Sequence, residues 1–287
     1  MAAIIACLKM ALSGQIGSNP ARQGLATGKI LEKQMPTTAE KRSVFRSLHE
    51  SGFFILPNAW DGGSTRRLTS LGFKAIASTS AGAAWAAGRN DGELSRDEVL
   101  EHLRMLVAAT DLPVNADFEN GFADAPEQVA ANVAMAIDTG VAGISIEDWS
   151  GRAMYDTSLA VERLAAARAA IAAVAPDVML IGRNENFRVP GMTAAESIER
   201  AVAYANAGAD CLFVPFILDR GAVADLVAAV APKPVNVVVH NYDASIADYA
   251  AIGVRRCSLG GSLAKIVWDA FDAAARKVKA YEPEVDI

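Results

Sequence analysis

Residues Val114 to Phe122 read VNADFENGF, an apolar run that ends in Asp117 and Glu119, two carboxylates two positions apart. In a strand, residues i and i+2 share a face and lie roughly 6.6 Å apart along the chain. Two anions on one face repel unless a cation sits between them or water solvates both. A polar loop start would account for one such pair. The pattern recurs, however. The run VAGISIEDW ends in Glu147 and Asp148, DVMLIGRNEN ends in Arg183, Asn184 and Glu185, and other runs end near Asn58, Asp61, Ser80 and His240. Oxygen ligands with few histidines and no supporting cysteine suit a hard cation, Mg²⁺ or Mn²⁺ in its place. Arg183 offers a planar fork that matches a substrate carboxylate with two parallel hydrogen bonds. A salt bridge to Glu185 or Glu147 is its structural alternative, and the two roles are compatible.

These groups need a scaffold that brings strand ends together. From residue 53 onward the sequence repeats one theme, an apolar strand-like run followed by an amphipathic segment. The runs are FFILPNAW, KAIASTSAG, LPVNADFENG, VAGISIEDW, DVMLIGRNEN, ADCLFVPF, KPVNVVVH and VRRCSLGG. Helical patterns lie between them. SRDEVLEHLRMLVAAT begins with a Ser95–Glu98 capping box, and APEQVAANVAMAIDTG and TAAESIERAVAYANAG both end on glycine. Eight strand–helix units predict an α/β fold, a (β/α)₈ barrel of the TIM type over residues 37–287. A doubly wound open sheet is the competitor, but no GxGxxG loop is present to support it. In such a barrel all strand C-termini face one mouth, so the acids from the third, fourth and fifth runs converge and call for a cation.

Hydrophobic residues make up 52% of the 287-residue chain, and its formal net charge is −6. Such a balance disfavours nucleic acid as a partner, since phosphate binding needs a basic face. Three widely spaced cysteines, Cys7, Cys211 and Cys257, form neither a disulfide framework nor a metal pair, which predicts a reducing, cytoplasmic setting. No run of eighteen apolar residues predicts a membrane span. Residues 1–36 lack periodicity and read as a poorly ordered extension, with a helix starting soon after Met35. His49 and His102 fall in helical patterns and read as packing residues; Trp60 and Trp85 border the mouth in sequence.

Taken together, STSAG at 78–82, GRNDGE at 88–93, ADFENGF at 116–122, IEDW at 146–149 and GRNENF at 182–187 resemble the isocitrate lyase and phosphoenolpyruvate mutase superfamily. The resemblance covers about Ala39 to Lys279. It implies a barrel whose eighth helix is swapped with a neighbouring subunit in a homo-oligomer, a tetramer or a dimer, and a bound Mg²⁺ that chelates a 2-oxo acid. It also implies roles. Asp117, Glu119 and Glu147 are the metal acids, Asp91 approaches metal or substrate from the loop after the second strand, and Arg183 grips substrate. Ser80, Ala81 and Gly82 form the segment that hydrogen-bonds the substrate. Arg183, Asp91 and Glu147 are thus the expected catalytic residues. His240, from its place at the end of the seventh run and not from the resemblance, is a candidate substrate contact or a structural histidine.

Departures from the family pattern narrow the chemistry. The lyases carry a KKCGH-like loop after the fourth strand, with a catalytic cysteine. Here IEDWSGRAMYDTSLAVERL follows, with neither cysteine nor histidine. The mutases' longer segment is also missing, and Pro215 replaces their histidine after the sixth strand. What remains is metal-stabilised enolate chemistry on a small 2-oxo or 2-hydroxy carboxylate: a lyase, decarboxylase or hydrolase, with oxaloacetate as one candidate. Two alternatives stand beside it, a 2-oxo-acid-binding protein with little turnover and phosphonopyruvate-type P–C chemistry. Tyr155 and Asp156, after the fourth strand, are candidate acid–base groups or loop packing.

Overall fold

The structure is a computed structural model, and it describes residues 35–217, 219–240 and 246–282. Expectations for residues 1–34, and for Asn241 and Tyr242 beside His240, lie outside the described residues. Helix α1 (Thr38–Glu50) starts at a Thr37 cap that exchanges bonds with Glu40. The barrel then unrolls as β1 (Phe54–Leu56), β2 (Asn58–Ala59), α2 (Gly62–Ser70), β3 (Ile76–Ser78), α3 (Ser80–Ala86), α4 (Arg96–Ala108), β4 (Val114–Asp117), α5 (Pro126–Asp138) and β5 (Gly143–Glu147). It continues through α6 (Thr157–Val174), β6 (Met179–Arg183), α7 (Ala194–Asn206), β7 (Cys211–Phe213), α8 (Arg220–Val230), β8 (Val235–Val238), α9 (Ile246–Ala251), β9 (Arg256–Ser258) and α10 (Ser262–Lys279).

All pairings are parallel, in the order β1-β9-β8-β7-β6-β5-β4-β3-β2. β1 and β2 are one extended run broken at Pro57, which has no N–H to give a ladder. The first half pairs with β9 and the second with β3, so the eight-stranded barrel closes through this run. Asn58 seals the seam, since its Nδ2 donates to the Ser78 carbonyl at 2.6 Å and its Oδ1 accepts from the Leu259 amide at 2.9 Å.

Period-2 alternation divides the buried residues into two sets. Ile76, Val114, Ile144, Leu180, Leu212, Val235 and Cys257 face the helices. Phe54, Leu56, Ala77, Met179, Ile181 and Cys211 face inward and meet the fully buried Phe45 of α1. Helix α1 is therefore a plug under the barrel. Its basic residues cap loop carbonyls there, Lys41 Nζ to Thr110 at 2.6 Å and Arg42 Nε to Val141 at 3.0 Å. His49, expected to be packing, is buried in the plug with Nδ1–H on the Phe45 carbonyl at 2.7 Å. Helix α10 behaves differently. Ala264 is its buried residue, while Ile266, Val267, Trp268 and Phe271 are exposed.

Candidate active site

The site grows from the C-terminal end of β4. Its strand geometry stops at Asp117, and the chain turns sharply with Glu119 at φ +46°. A non-glycine residue in the left-handed region costs energy and is held there by its surroundings. Asp117 and Glu119 are therefore not an i, i+2 pair on one strand face, as the sequence suggested. A strained turn, not the pleat, aims the second acid. Two short bonds fix the first: the Asp117 amide donates to Ser78 Oγ at 2.7 Å, and its Oδ2 accepts from the Ser80 amide at 3.1 Å, at the start of α3.

Opposite, at the end of β6, stands Arg183. Its Nη1 lies 3.1 Å from Asp117 Oδ1 and 3.2 Å from Glu147 Oε2, and its Nε donates to Glu185 Oε1 at 2.5 Å. Asp117 and Glu147 are thus brought together at one rim, with a guanidinium between them. The salt bridges named as its alternative role are formed. Glu185, fully buried, also takes Arg188 Nε at 2.5 Å. The Glu185 amide is fixed by Asp148 Oδ1 at 2.7 Å, and Asp148 is held in turn by Tyr204 and Arg200. Asp148 therefore braces the site from behind.

Burial, then the neighbouring Asp117 and Asp91, push the Glu119 carboxyl up to about 8. Burial raises Glu147 as well, against the pull of Arg183. For Arg183 burial works the other way, but Glu147, Glu185 and Asp117 outweigh it and hold the guanidinium charged. Glu119 has no hydrogen bond or ion pair from its side chain among the described residues. Around the rim five carboxyl groups, Asp91, Asp117, Glu119, Glu147 and Glu185, face two guanidiniums, Arg183 and Arg188. Negative charge is in excess.

Two cavities meet there. One, of about 170 Å³, is bordered by Ser80, Ala81, Asp91, Asp117, Arg183 and His240 and reaches down into the barrel. The other, of about 310 Å³, is bordered by Asp91, Glu119, Glu147 and Arg183. Of the expected substrate segment, Ser80 and Ala81 border the first cavity, whereas Gly82 does not. It is buried, and a Cβ there would come within 2.6 Å of Thr79 and 2.9 Å of Trp60, so the glycine serves a close approach of α3. His240 is exposed at the mouth, with Nδ1 3.1 Å from Ser262 Oγ and its ring stacked on Phe216. Asp61 caps α2 through Ser64. Tyr155 is turned away onto Asp124 and Asn120, and its ring lies under the Arg163 guanidinium, so it packs the loop after β4.

Hard oxygen donors with unbalanced charge fit a divalent cation. As they stand, no three acidic, histidine or cysteine side chains converge closely enough to grip one among the described residues. Mg²⁺ commonly takes one or two carboxylates directly and keeps waters for the rest, so the donor set remains adequate. Sequence reasoning missed the polar lining deeper in the barrel, Asn115, Ser145, Asn236, Arg256 and Ser258. Its signal was present: each occupies the inward position of an alternating strand.

The family profile for phosphoenolpyruvate phosphomutase matches residues 45–279. The chain belongs to the phosphoenolpyruvate mutase/isocitrate lyase superfamily. A solved structure from Burkholderia cenocepacia J2315, provisionally described as a lyase/mutase, superposes with a TM-score of 0.81 at 43% identity, covering 84% of this chain and 89% of that one. The 2,3-dimethylmalate lyase of Eubacterium barkeri is 30% identical over 191 residues, 63% of each chain. A solved 2,3-dimethylmalate lyase gives a TM-score of 0.76 at 27% identity, with 88% and 91% covered. Escherichia coli 2-methylisocitrate lyase is 35% identical over 154 residues, half of each chain. Membership of the superfamily accounts for the barrel. Among the described residues no helix is long and apolar enough to cross a membrane.

Proposed function

We propose that this protein is a carbon–carbon lyase acting on a small 2-oxo or 2-hydroxy carboxylate through an enolate. The observation that carries the reading is the Asp117–Arg183–Glu147 cluster at the open end of the barrel, bordering two cavities with carboxylate charge to spare. Of Asp117, Glu119 and Glu147, with Asp91 near by, one or two would hold Mg²⁺ or Mn²⁺ directly and the others through its waters. Such an ion supplies neutralisation of the charge that develops on the C2 oxygen of a pyruvate-like unit. Arg183 already presents its guanidinium at the rim and can exchange one acidic partner for a substrate carboxylate. Ser80 and Ala81 border the same space and set its shape. Small cavities favour a short substrate over a long one. Hydrolase or decarboxylase chemistry on the same substrate class would use the same residues.

The enzymatic reading extends to location and assembly. A cytoplasmic setting is supported by cysteines that are buried and free at 211 and 257. The second copy of this chain is the partner proposed for α10, whose apolar stripe lies uncovered and whose family resemblance implies a swapped helix. A binding protein without turnover is the reading favoured by one observation: Tyr155, a candidate proton carrier, is committed to Asp124. A panel of 2-oxo and 2-hydroxy di- and tricarboxylates, assayed with Mg²⁺ and with chelator, separates the two. Cleavage with Mg²⁺, lost in Asp117→Ala with the fold intact, supports the lyase. Tight binding with no product over hours supports the binder.

A further inference from the structure

Below the rim, the first cavity ends on a charge that nothing answers. Arg256, on the inward face of β9, is 1% exposed. Its Nε donates to Asn236 Oδ1 at 2.9 Å, its Nη1 donates to His49 Nε2 at 3.0 Å, and its guanidinium lies 6.0 Å from the Phe45 ring. All three partners are neutral. Its Nη2 makes no hydrogen bond among the described residues, and Arg256 borders the cavity. Burial pulls the guanidinium down from its ordinary value, and no carboxylate opposes that pull. An arginine cannot shed its proton to escape this cost. A buried cation without an anion is among the more expensive arrangements in a protein.

Three hydroxyls line the walls around it, along with one unpaired acceptor, Asn115 Oδ1. Ser258 Oγ accepts from Asn236 Nδ2 at 3.0 Å, Ser145 Oγ from Asn115 Nδ2 at 3.2 Å, and Ser78 Oγ from the Asp117 amide at 2.7 Å. Each hydroxyl thus has its acceptor side engaged and its hydrogen free, and all three border the same cavity. The acids on this cavity, Asp117 and Asp91, belong to the rim, where Asp117 is paired with Arg183. We propose that the barrel interior is a second anion site, in which Arg256 and the serine hydroxyls hold one singly charged group, a carboxylate or a halide. A cavity of about 170 Å³ has room for it, a water's share of liquid volume being about 30 Å³. The charge is supplied either by a free anion or by the second carboxylate of a substrate reaching down from the rim. The site does not depend on the proposed lyase reaction.

The test uses the full chain in HEPES–NaOH buffer free of halide and carboxylate, with bromide and formate as probes. Bromide-soaked crystals should show anomalous scattering beside Arg256. Either probe should raise the thermal midpoint saturably, by about 5 °C at high excess, and Arg256→Met should lose that rise. Pyruvate and oxaloacetate, added with Mg²⁺, then identify the source. Displacement of bromide by oxaloacetate alone assigns the site to a substrate's second carboxylate. Retention with both assigns it to a free anion. Absence of scattering together with no probe-dependent rise overturns the proposal, as does an equal rise in Arg256→Met. Should that variant not fold, the wild-type scattering decides.

Discussion

Arg183 shares Nη1 between Asp117 and Glu147 and gives Nε to the fully buried Glu185, so its removal leaves Asp117 and Glu147 without their cation and Glu185 with Arg188 alone. Stripping one partner from a buried charge cluster costs about 3–5 kcal/mol. Arg183→Met should lose stability on that scale in urea unfolding at pH 7, and a loss below about 1 kcal/mol would show the cluster to be unimportant for folding. His49 sets a different dependence. Burial, and next the Arg256 charge, hold it down at about 3 instead of the ordinary 6.5. Below about 6.5 the unfolded chain takes up a proton that the folded chain refuses until about 3, so stability falls as pH drops through that window. Replacing it by His49→Gln should flatten the slope between pH 7 and 5 by up to about 1.4 kcal/mol per pH unit. An unchanged slope in equilibrium unfolding would place a charged histidine in the plug.

At the scale of elements, β5 has little room for change at Gly143. A Cβ on Gly143 would stand 2.7 Å from both Phe45 Cε1 and Asn115 Oδ1, where the plug meets the barrel interior. Gly143→Ala should therefore cost about 1–3 kcal/mol by overpacking, seen as a lower denaturant midpoint; a neutral result would mean that Phe45 can move aside. Much of this level was legible in the sequence. The Ser95–Glu98 capping box forms as its spacing predicts, and Gly140 and Gly208 end their helices in the left-handed region. The eight apolar runs all became barrel strands, because a run of that length between helical patterns has few other burials. The turn at Glu119 was not legible, since strand periodicity says nothing of where a strand stops. Nor was the lining of Asn115, Asn236 and Arg256 recognised. Single polar residues inside apolar runs look like noise until alternation is used to assign them inward. Arg183 was foreseen as a clamp, but its acidic partners come from three strand ends, whose register only the closed barrel fixes.

On the scale of the whole molecule, α10 leaves Trp268 and Phe271 exposed, the latter at 61%, along with Ile266 and Val267. Contiguous apolar patches of this kind mark contact surfaces. The chain should sediment as a dimer or tetramer, and Phe271→Asp combined with Trp268→Asp should shift it toward monomer; a monomeric wild type would contradict the swapped-helix assembly. The rim makes the larger claim, that excess carboxylate charge from β4, β5 and their loops is balanced by a divalent ion. Electron paramagnetic resonance of Mn²⁺, titrated into the protein with and without oxalate, reads this directly. The account predicts one tight site per chain, strengthened by oxalate and weakened at least tenfold, about 1.4 kcal/mol, in Asp117→Ala. Free Mn²⁺ signal throughout the titration of the wild type, or equal affinity in Asp117→Ala, would contradict it.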